Sequence, residues 1–139
     1  MRFKQIGDKF IVRLEKGEEI VGSLQKFCEK KAIKCGYLIG LGAVSEAELA
    51  LYRLKDKKYF SKKIKEPMEI VVLNGNISEM NNKPYLHVHG LFSNKEMQPV
   101  SGHVKEATVS ATGEVTIFRF PGKIGRKFNN EIGLNLYDI

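Results

Sequence analysis

The sequence has few of the residues that usually mark a redox or structural metal site. It contains only two cysteines, Cys28 and Cys35. Their spacing matches neither the C-x-x-C redox motif nor a zinc ribbon, which excludes both classes of cysteine site. Cysteine is often a small buried residue, so we expect both to lie in the core as reduced thiols.

Long apolar runs are also missing. No segment approaches the roughly 18 apolar residues of a membrane span, and the N-terminal residues 1–5 have no apolar signal-peptide core. The chain is 42% hydrophobic over 139 residues, which is enough to build one core. We therefore expect a single domain over residues 1–139, soluble and cytoplasmic, with no membrane partner.

Acidic charge is scarce relative to basic charge, and the net charge is +7. Between residues 55 and 65, one acid, Asp56, stands against six lysines: Lys55, Lys57, Lys58, Lys62, Lys63 and Lys65. Such a run can contact nucleic acid. It can also be the solvated edge of a sheet, because lysine prevents pairing between exposed strands. The run is nearly free of arginine, and only Tyr59 and Phe60 could stack on bases, which favours the edge.

Apolar periodicity predicts one helix and many strands. The helix covers residues 18–32, with acidic residues at its start and lysines at its end, as the helix dipole prefers. Strands are predicted at 9–14, 35–41, 43–54, 58–65, 68–73, 77–80, 85–92 and 133–139, with a bend or bulge at 74–76. A hairpin joins 103–110 to 114–120 through 111–113, and 121–130 is irregular.

This order of elements indicates an α+β domain with a largely antiparallel sheet and one main N-terminal helix. The alternative fold is a cupin-like β-barrel, which also uses a His-x-His pair. The glutamate that a cupin places shortly after its second histidine is poorly matched here, because Glu96 follows seven residues later.

All three histidines of the chain fall between positions 87 and 103. His87 and His89 are two residues apart on a predicted strand, so they point to the same face. If His103 lies on a neighbouring strand, it completes a set of three imidazoles with one open position, as in catalytic zinc sites. Copper, iron and nickel also accept imidazole ligands. Alternatively, His87 and His89 are ordinary half-exposed strand residues and His103 is unrelated to them.

Several short motifs, in order over nearly the whole chain, resemble the plants-and-prokaryotes conserved (PPC) domain family. Ser101 replaces a glycine that is usual in the family, and Gly90 replaces a small residue such as alanine. Neither departure removes a histidine. The motifs are 40–45 (GLGAVS), 47–49 (AEL), 73–78 (LNGNIS), 86–89 (LHVH), 102–104 (GHV), 114–115 (EV), 126–127 (RK) and 133–134 (GL).

The resemblance implies a compact domain with a largely antiparallel sheet that assembles as a homotrimer. It also implies that His87, His89 and His103 are metal ligands, with zinc as the expected metal. The family fold is similar to that of acetolactate decarboxylase, a zinc enzyme with three histidine ligands. Plant members bind DNA through AT-hooks beside the domain, and this chain has no Arg-Gly-Arg-Pro core of that motif.

Three functions follow as hypotheses. The first is a zinc-dependent decarboxylase or hydrolase of a small molecule, with Glu48 or Glu106 as acid–base and Arg126 holding a substrate carboxylate. For each of the three, an ordinary surface charge is the favoured alternative. The second is a non-enzymatic oligomeric module that binds DNA, or a DNA-associated partner, through Lys55, Lys57, Lys58, Lys62 and Lys63. The third is a structural or sensory metal site, completed by a ligand from a neighbouring subunit.

Overall fold

The apolar pattern of residues 18–32 produces the only α-helix of the structure, a computed structural model that describes residues 1–139. The elements are β1 (Arg2–Ile6), β2 (Lys9–Glu15), α1 (Ile20–Lys30), β3 (Gly36–Arg53), a 3₁₀ turn (Leu54–Asp56), β4 (Lys58–Ile64), β5 (Met68–Met80), β6 (Lys83–Ser93), β7 (Pro99–Arg119), β8 (Gly125–Asn129) and β9 (Leu134–Asp138). The predicted antiparallel sheet is confirmed, although the share of helix is small. No helix has the length and apolar character that a membrane span requires.

The start of α1 is held by a carboxylate. Glu19 is the N-cap residue, and its side chain accepts hydrogen bonds from the backbone N–H groups of Val21 and Gly22. The same carboxylate accepts the N–H of Ala107 on β7 at 3.2 Å. Glutamate is not a preferred N-cap residue. Here its negative charge suits the positive end of the helix dipole, and its length allows it to bind the helix to the sheet.

The strands form one sheet around the two longest strands. β3 and β7, of 18 and 21 residues, pair with each other antiparallel along most of their length. β5 pairs with β3 and β6, and β6 also pairs with β7. β1, β4 and β9 each pair with a single neighbour, so the sheet keeps free edges. The sheet is therefore not a closed barrel, and the cupin-like alternative is wrong.

The hairpin predicted over 103–120 is also wrong, because these residues form the continuous strand β7. Gly42 pairs with Gly113 and Val44 with Val109, so residues 110–112 form a bulge. The predicted turn residues thus bend the strand without reversing it. Gly42 has φ +146°, and a Cβ there would lie 2.2 Å from the carbonyl oxygen of Thr112. Only glycine fits this close approach.

Four other elements differ from the prediction. Residues 35–41 and 43–54 are one strand, β3, with an irregularity at Gly40–Gly42. β5 runs through 74–76 with neither a bend nor a bulge there, and its bulge lies between Ile70 and Val72. The stretch 121–130 contains β8, and the N-terminus contains β1, neither of which was predicted. Both unpredicted strands lack a clear alternation of buried and exposed residues.

One apolar cluster of 23 buried residues forms the core between α1 and the sheet. Ile20, Leu24, Phe27 and Cys28 are the buried residues of α1. The Phe27 ring packs edge-on against Phe10 at 5.4 Å between centroids. Both cysteines are buried, as predicted. Burial also raises the pKa of the Cys28 thiol to about 12, so this residue behaves as a small core side chain.

Candidate metal centre

β6 separates its apolar and polar side chains onto two faces. Val88 and Phe92 are almost completely buried in the core. His87 is half-buried and His89 is exposed, and both point away from the core because side chains alternate along a strand. β6 pairs with β5 on one side and with β7 on the other. The backbones of two neighbouring strands therefore fix the position of the histidine pair.

The third histidine comes from β7. His103 lies directly opposite His89 in the β6–β7 register. The ring centroids of the three histidines are 4.9, 5.1 and 5.5 Å apart. One nitrogen from each ring lies within 4.8 Å of the others. The structure therefore brings together all three histidines that the spacing singled out, and we call them the histidine cluster.

The donor set of the histidine cluster fits a metal ion. Nε2 of His87 and Nε2 of His89 are 3.1 Å apart, close to the roughly 3.3 Å that separates two ligands of a tetrahedral zinc with Zn–N bonds of about 2.0 Å. Nδ1 of His103 is buried and has no hydrogen-bond partner, which is costly unless something occupies it. No carboxylate or thiol belongs to the cluster, so three nitrogens leave at least one coordination position open.

The surroundings of His87 and His103 keep these two imidazoles uncharged. Burial, together with the neighbouring His103, His89 and Arg126, lowers the pKa of His87 to about 4. The pKa of His103 is also lowered, first by burial and then by His89 and Lys105. A neutral imidazole is the form that binds a metal ion. At neutral pH the two half-buried rings therefore need not lose a proton before they accept a metal.

Arg126 of β8 lies beside His87. Its guanidinium donates to Ser78 Oγ, to Asn76 Oδ1 and to the carbonyl of Asn135, each at 2.7 Å. The guanidinium carbon also lies 4.6 Å from the ring centre of Tyr85 and 4.7 Å from that of Tyr137. Three hydrogen bonds and two aromatic rings thus hold the planar group in one orientation.

Three tyrosines that the sequence reasoning missed line a cavity of about 200 Å³ with His87 and Arg126: Tyr59, Tyr85 and Tyr137. The Tyr59 ring, on β4, also packs 5.0 Å from that of His103. Tyr85 carried a usable signal, since it precedes His87 by two residues and shares its face. Tyr59 and Tyr137 carried none, because their strands reach the cavity only through tertiary pairing.

The two predicted acid–base residues lie outside the histidine cluster. Glu48 and Glu106 face each other across β3 and β7. The Glu48 carboxylate accepts a hydrogen bond from Lys105 at 2.6 Å, and this contact, followed by a hydrogen bond from Ser61, lowers its pKa. Their acid–base role stays a prediction, whereas Arg126 is placed at the cluster.

The predicted basic run forms the edge strand β4 and the turn before it. Lys63 pairs with Glu46 at 2.9 Å, and Lys57 donates to the carbonyl of Asn130. Lys55, Lys58, Lys62 and Lys65 have no acidic partner, and all four are exposed. Lys58 and Lys62 flank Phe60 on one face of β4, while Tyr59 points from the other face toward the histidine cluster.

Comparison with protein-family models matches residues 1–121 to the Plants and Prokaryotes Conserved (PCC) domain. The chain therefore belongs to this family, as the sequence motifs indicated. The match ends before β8, so Arg126 lies outside it. A search of curated proteins found no match.

Solved structures extend the comparison to nearly the whole chain. A candidate DNA-binding protein from Bacteroides thetaiotaomicron is 38% identical, with a TM-score of 0.96 over 99% of this chain and 96% of its own. A metal-containing protein from Archaeoglobus fulgidus is 31% identical, with a TM-score of 0.87 over 99% and 98%. An α-acetolactate decarboxylase from Bacillus subtilis is 14% identical, with a TM-score of 0.57 over 93% and 60%. This last likeness concerns the fold alone.

Proposed function

We propose that this member of the Plants and Prokaryotes Conserved domain family binds one divalent metal ion, with zinc the first candidate, through His87, His89 and His103. The observation that carries the proposal is the convergence of three ring nitrogens within 4.8 Å, one ring having a buried nitrogen without a partner. The metal-containing relative from Archaeoglobus fulgidus supports it.

We infer further that the domain acts on a small molecule at the open position. Zinc on three histidines can polarise a carbonyl or lower the pKa of bound water to about 7, chemistry that suits a decarboxylation or a hydrolysis. The chain supplies the rigid part of such a site. His87 and His89 are held by one strand and His103 by its neighbour, and the Tyr59 ring of β4 packs 5.0 Å from that of His103.

Metal content tests the proposal. Untagged protein, stripped with chelator and incubated with zinc, should retain about one zinc per chain. His87→Ala, His89→Ala and His103→Ala should each lose it. Glu48→Gln is the matched control, since this residue lies outside the histidine cluster, and it should keep the metal. A wild-type protein that stays empty in excess zinc would reduce the histidines to ordinary strand residues.

The inferred activity on a small molecule is tested separately from metal binding. Zinc-loaded protein would be screened with 2-oxo acids, acetolactate-like keto acids, lactones and esters. Turnover that disappears in His89→Ala and persists in Glu29→Gln, at an exposed residue of α1, would assign the chemistry to the histidine cluster. If zinc-loaded protein turns over none of these classes, the metal is structural or sensory.

DNA binding is a second candidate function, favoured by the unpaired lysines of β4 and by the Bacteroides thetaiotaomicron relative. Affinity for duplex DNA should then fall steeply with salt, in proportion to the phosphates contacted. Lys58→Gln with Lys62→Gln should flatten that dependence, whereas Lys26→Gln with Lys30→Gln on α1 should not. An absence of binding at low salt would leave β4 as a charged edge that prevents sheet-to-sheet pairing.

We also propose the trimer that family resemblance implies. An exposed apolar patch supports it: Ile11, Ile39, Leu41 and Val71 are 43%, 41%, 58% and 54% exposed, and patches of this kind often mark interfaces. Light scattering should give about 47 kDa, three times the 15.7 kDa chain. Leu41→Lys should lower that mass, whereas Leu51→Lys, at an even more exposed leucine, should not. A wild-type mass of one chain would exclude the trimer.

A further inference from the structure

Arg126 carries a positive charge that no acidic group balances. All three of its hydrogen-bond acceptors are uncharged: a serine hydroxyl, an asparagine side-chain oxygen and a backbone carbonyl. It takes part in none of the ion pairs of the structure, although nine other basic side chains do. Half-buried charges are normally paired. Here the protein holds the guanidinium rigidly and leaves its charge without a partner.

The cavity beside Arg126 contains no negative charge that could balance the guanidinium. None of its lining residues carries a carboxylate, and the histidine cluster contributes only neutral nitrogens to a metal. A divalent ion at the cluster would therefore add its full charge next to that of Arg126. Two like charges in one partly desolvated cavity are unfavourable unless an anion lies between them.

The cavity also limits the size and character of that anion. Its volume is about 200 Å³, below the roughly 300–1,000 Å³ of pockets for drug-sized ligands. Aromatic rings and the side chains of Leu134 and Leu136 supply most of its walls. Guanidinium has five N–H donors and three of them are already used. The remaining N–H groups suit a planar carboxylate, and the apolar walls suit a short carbon chain.

We propose that this cavity binds a small organic carboxylate, with the carboxylate on Arg126 and the adjoining oxygen-bearing carbon directed at the metal position of the histidine cluster. A short 2-oxo acid has this chemistry. The inference rests on the proposed metal site and goes further by naming its ligand class. Arg126 is thereby a substrate-binding residue and takes no part in holding the metal.

Isothermal titration calorimetry with 2-oxobutyrate tests the proposal, beside zinc analysis of every sample. Zinc-loaded wild-type protein should bind 2-oxobutyrate, and butanone, its uncharged counterpart, at least tenfold more weakly. Arg126→Gln should keep about one zinc per chain and lose at least tenfold in affinity for 2-oxobutyrate. Arg53→Gln is the matched control, because that arginine pairs with Asp56 away from the cavity, and it should bind as the wild type does.

Because Arg126 also holds β8 against Ser78 and Asn76, a second variant avoids the risk of misfolding. Leu134→Trp puts a larger side chain in the cavity wall and removes none of the three groups that accept hydrogen bonds from Arg126, so it should weaken 2-oxobutyrate binding at least tenfold. Unchanged affinity in a folded, zinc-loaded Arg126→Gln or Leu134→Trp would overturn the proposal. So would equal, Arg126-dependent binding of inorganic phosphate. A wild-type protein without zinc would instead disprove the metal site, and the bridging role of Arg126 with it.

Discussion

The two faces of the β6–β7 strand pair differ in whether the protein itself supplies all the contacts that their side chains need. On the core face, Val88, Phe92 and Val104 are each no more than 2% exposed. On the opposite face the histidine cluster keeps a buried nitrogen without a partner, and Arg126 nearby keeps an unbalanced charge. Apolar packing needs only area and shape, whereas polar groups need specific partners. One face therefore stabilises the fold, and the other is complete only with a ligand.

Phe92→Ala should give the largest effect of any substitution on the two faces. The ring is fully buried in the core, and deleting such a side chain typically costs about 3–5 kcal/mol. Urea denaturation should show this loss, while protein that remains folded still binds zinc. A loss below about 1 kcal/mol would mean that the core face is not the stabilising one.

Gly90→Ala tests how tightly that same face is packed. A Cβ at this position would lie 2.6 Å from Cε2 of Phe92 and 3.0 Å from Cγ2 of Val104. We expect a loss of about 1–3 kcal/mol from overpacking. Combining it with Phe92→Leu should recover part of the loss. Unchanged denaturation would show that the Phe92 ring has room to move.

Acid should destabilise the metal-free protein through the histidine face. The unfolded chain binds protons on its histidines near pH 6.5, whereas His87 in the fold does so only near pH 4. The free energy of unfolding should therefore fall as the pH drops from about 6.5 to about 4, by roughly 1 kcal/mol after allowing for solvent screening. His87→Gln should remove this part of the pH dependence. If the free energy of unfolding depends on pH in the same way in wild type and in His87→Gln, His87 is not the source of the acid sensitivity.

His89→Ala should have the smallest effect on stability. His89 is exposed, and surface substitutions usually change stability by less than about 0.5 kcal/mol. Thermal denaturation of the metal-free variant should match that of metal-free wild type. Adding zinc at about 100 times its dissociation constant should stabilise the wild type by about 2.7 kcal/mol and leave the variant unchanged. A large loss of stability in the metal-free variant would show that the histidine face also stabilises the fold.

Local patterns predicted the parts of the fold that depend on local physics. The stripe from Ile20 to Cys28 predicted α1, and alternation around His87 and His89 predicted their shared face. The continuous course of β7 was missed because Ala111–Gly113 reads as a turn, and only pairing with β3 makes it a bulge. Tyr59 and Tyr137 were missed for the same reason, since contacts between distant strands leave no periodic signal, whereas Tyr85 could have been found from its place two residues before His87.

The β8–β9 hairpin is joined to the sheet by one parallel pairing, Glu79 with Gly125, and otherwise largely by side chains. Tyr52 donates to Ile132, Lys57 to Asn130, and Arg126 to β5. No residue of the hairpin is fully buried. Local unfolding needs the least free energy where backbone ladders and apolar contacts are few. Amide hydrogens of β8 and β9 should therefore exchange with solvent before those of β3 and β7, so one wall of the cavity opens more readily than the centre of the sheet.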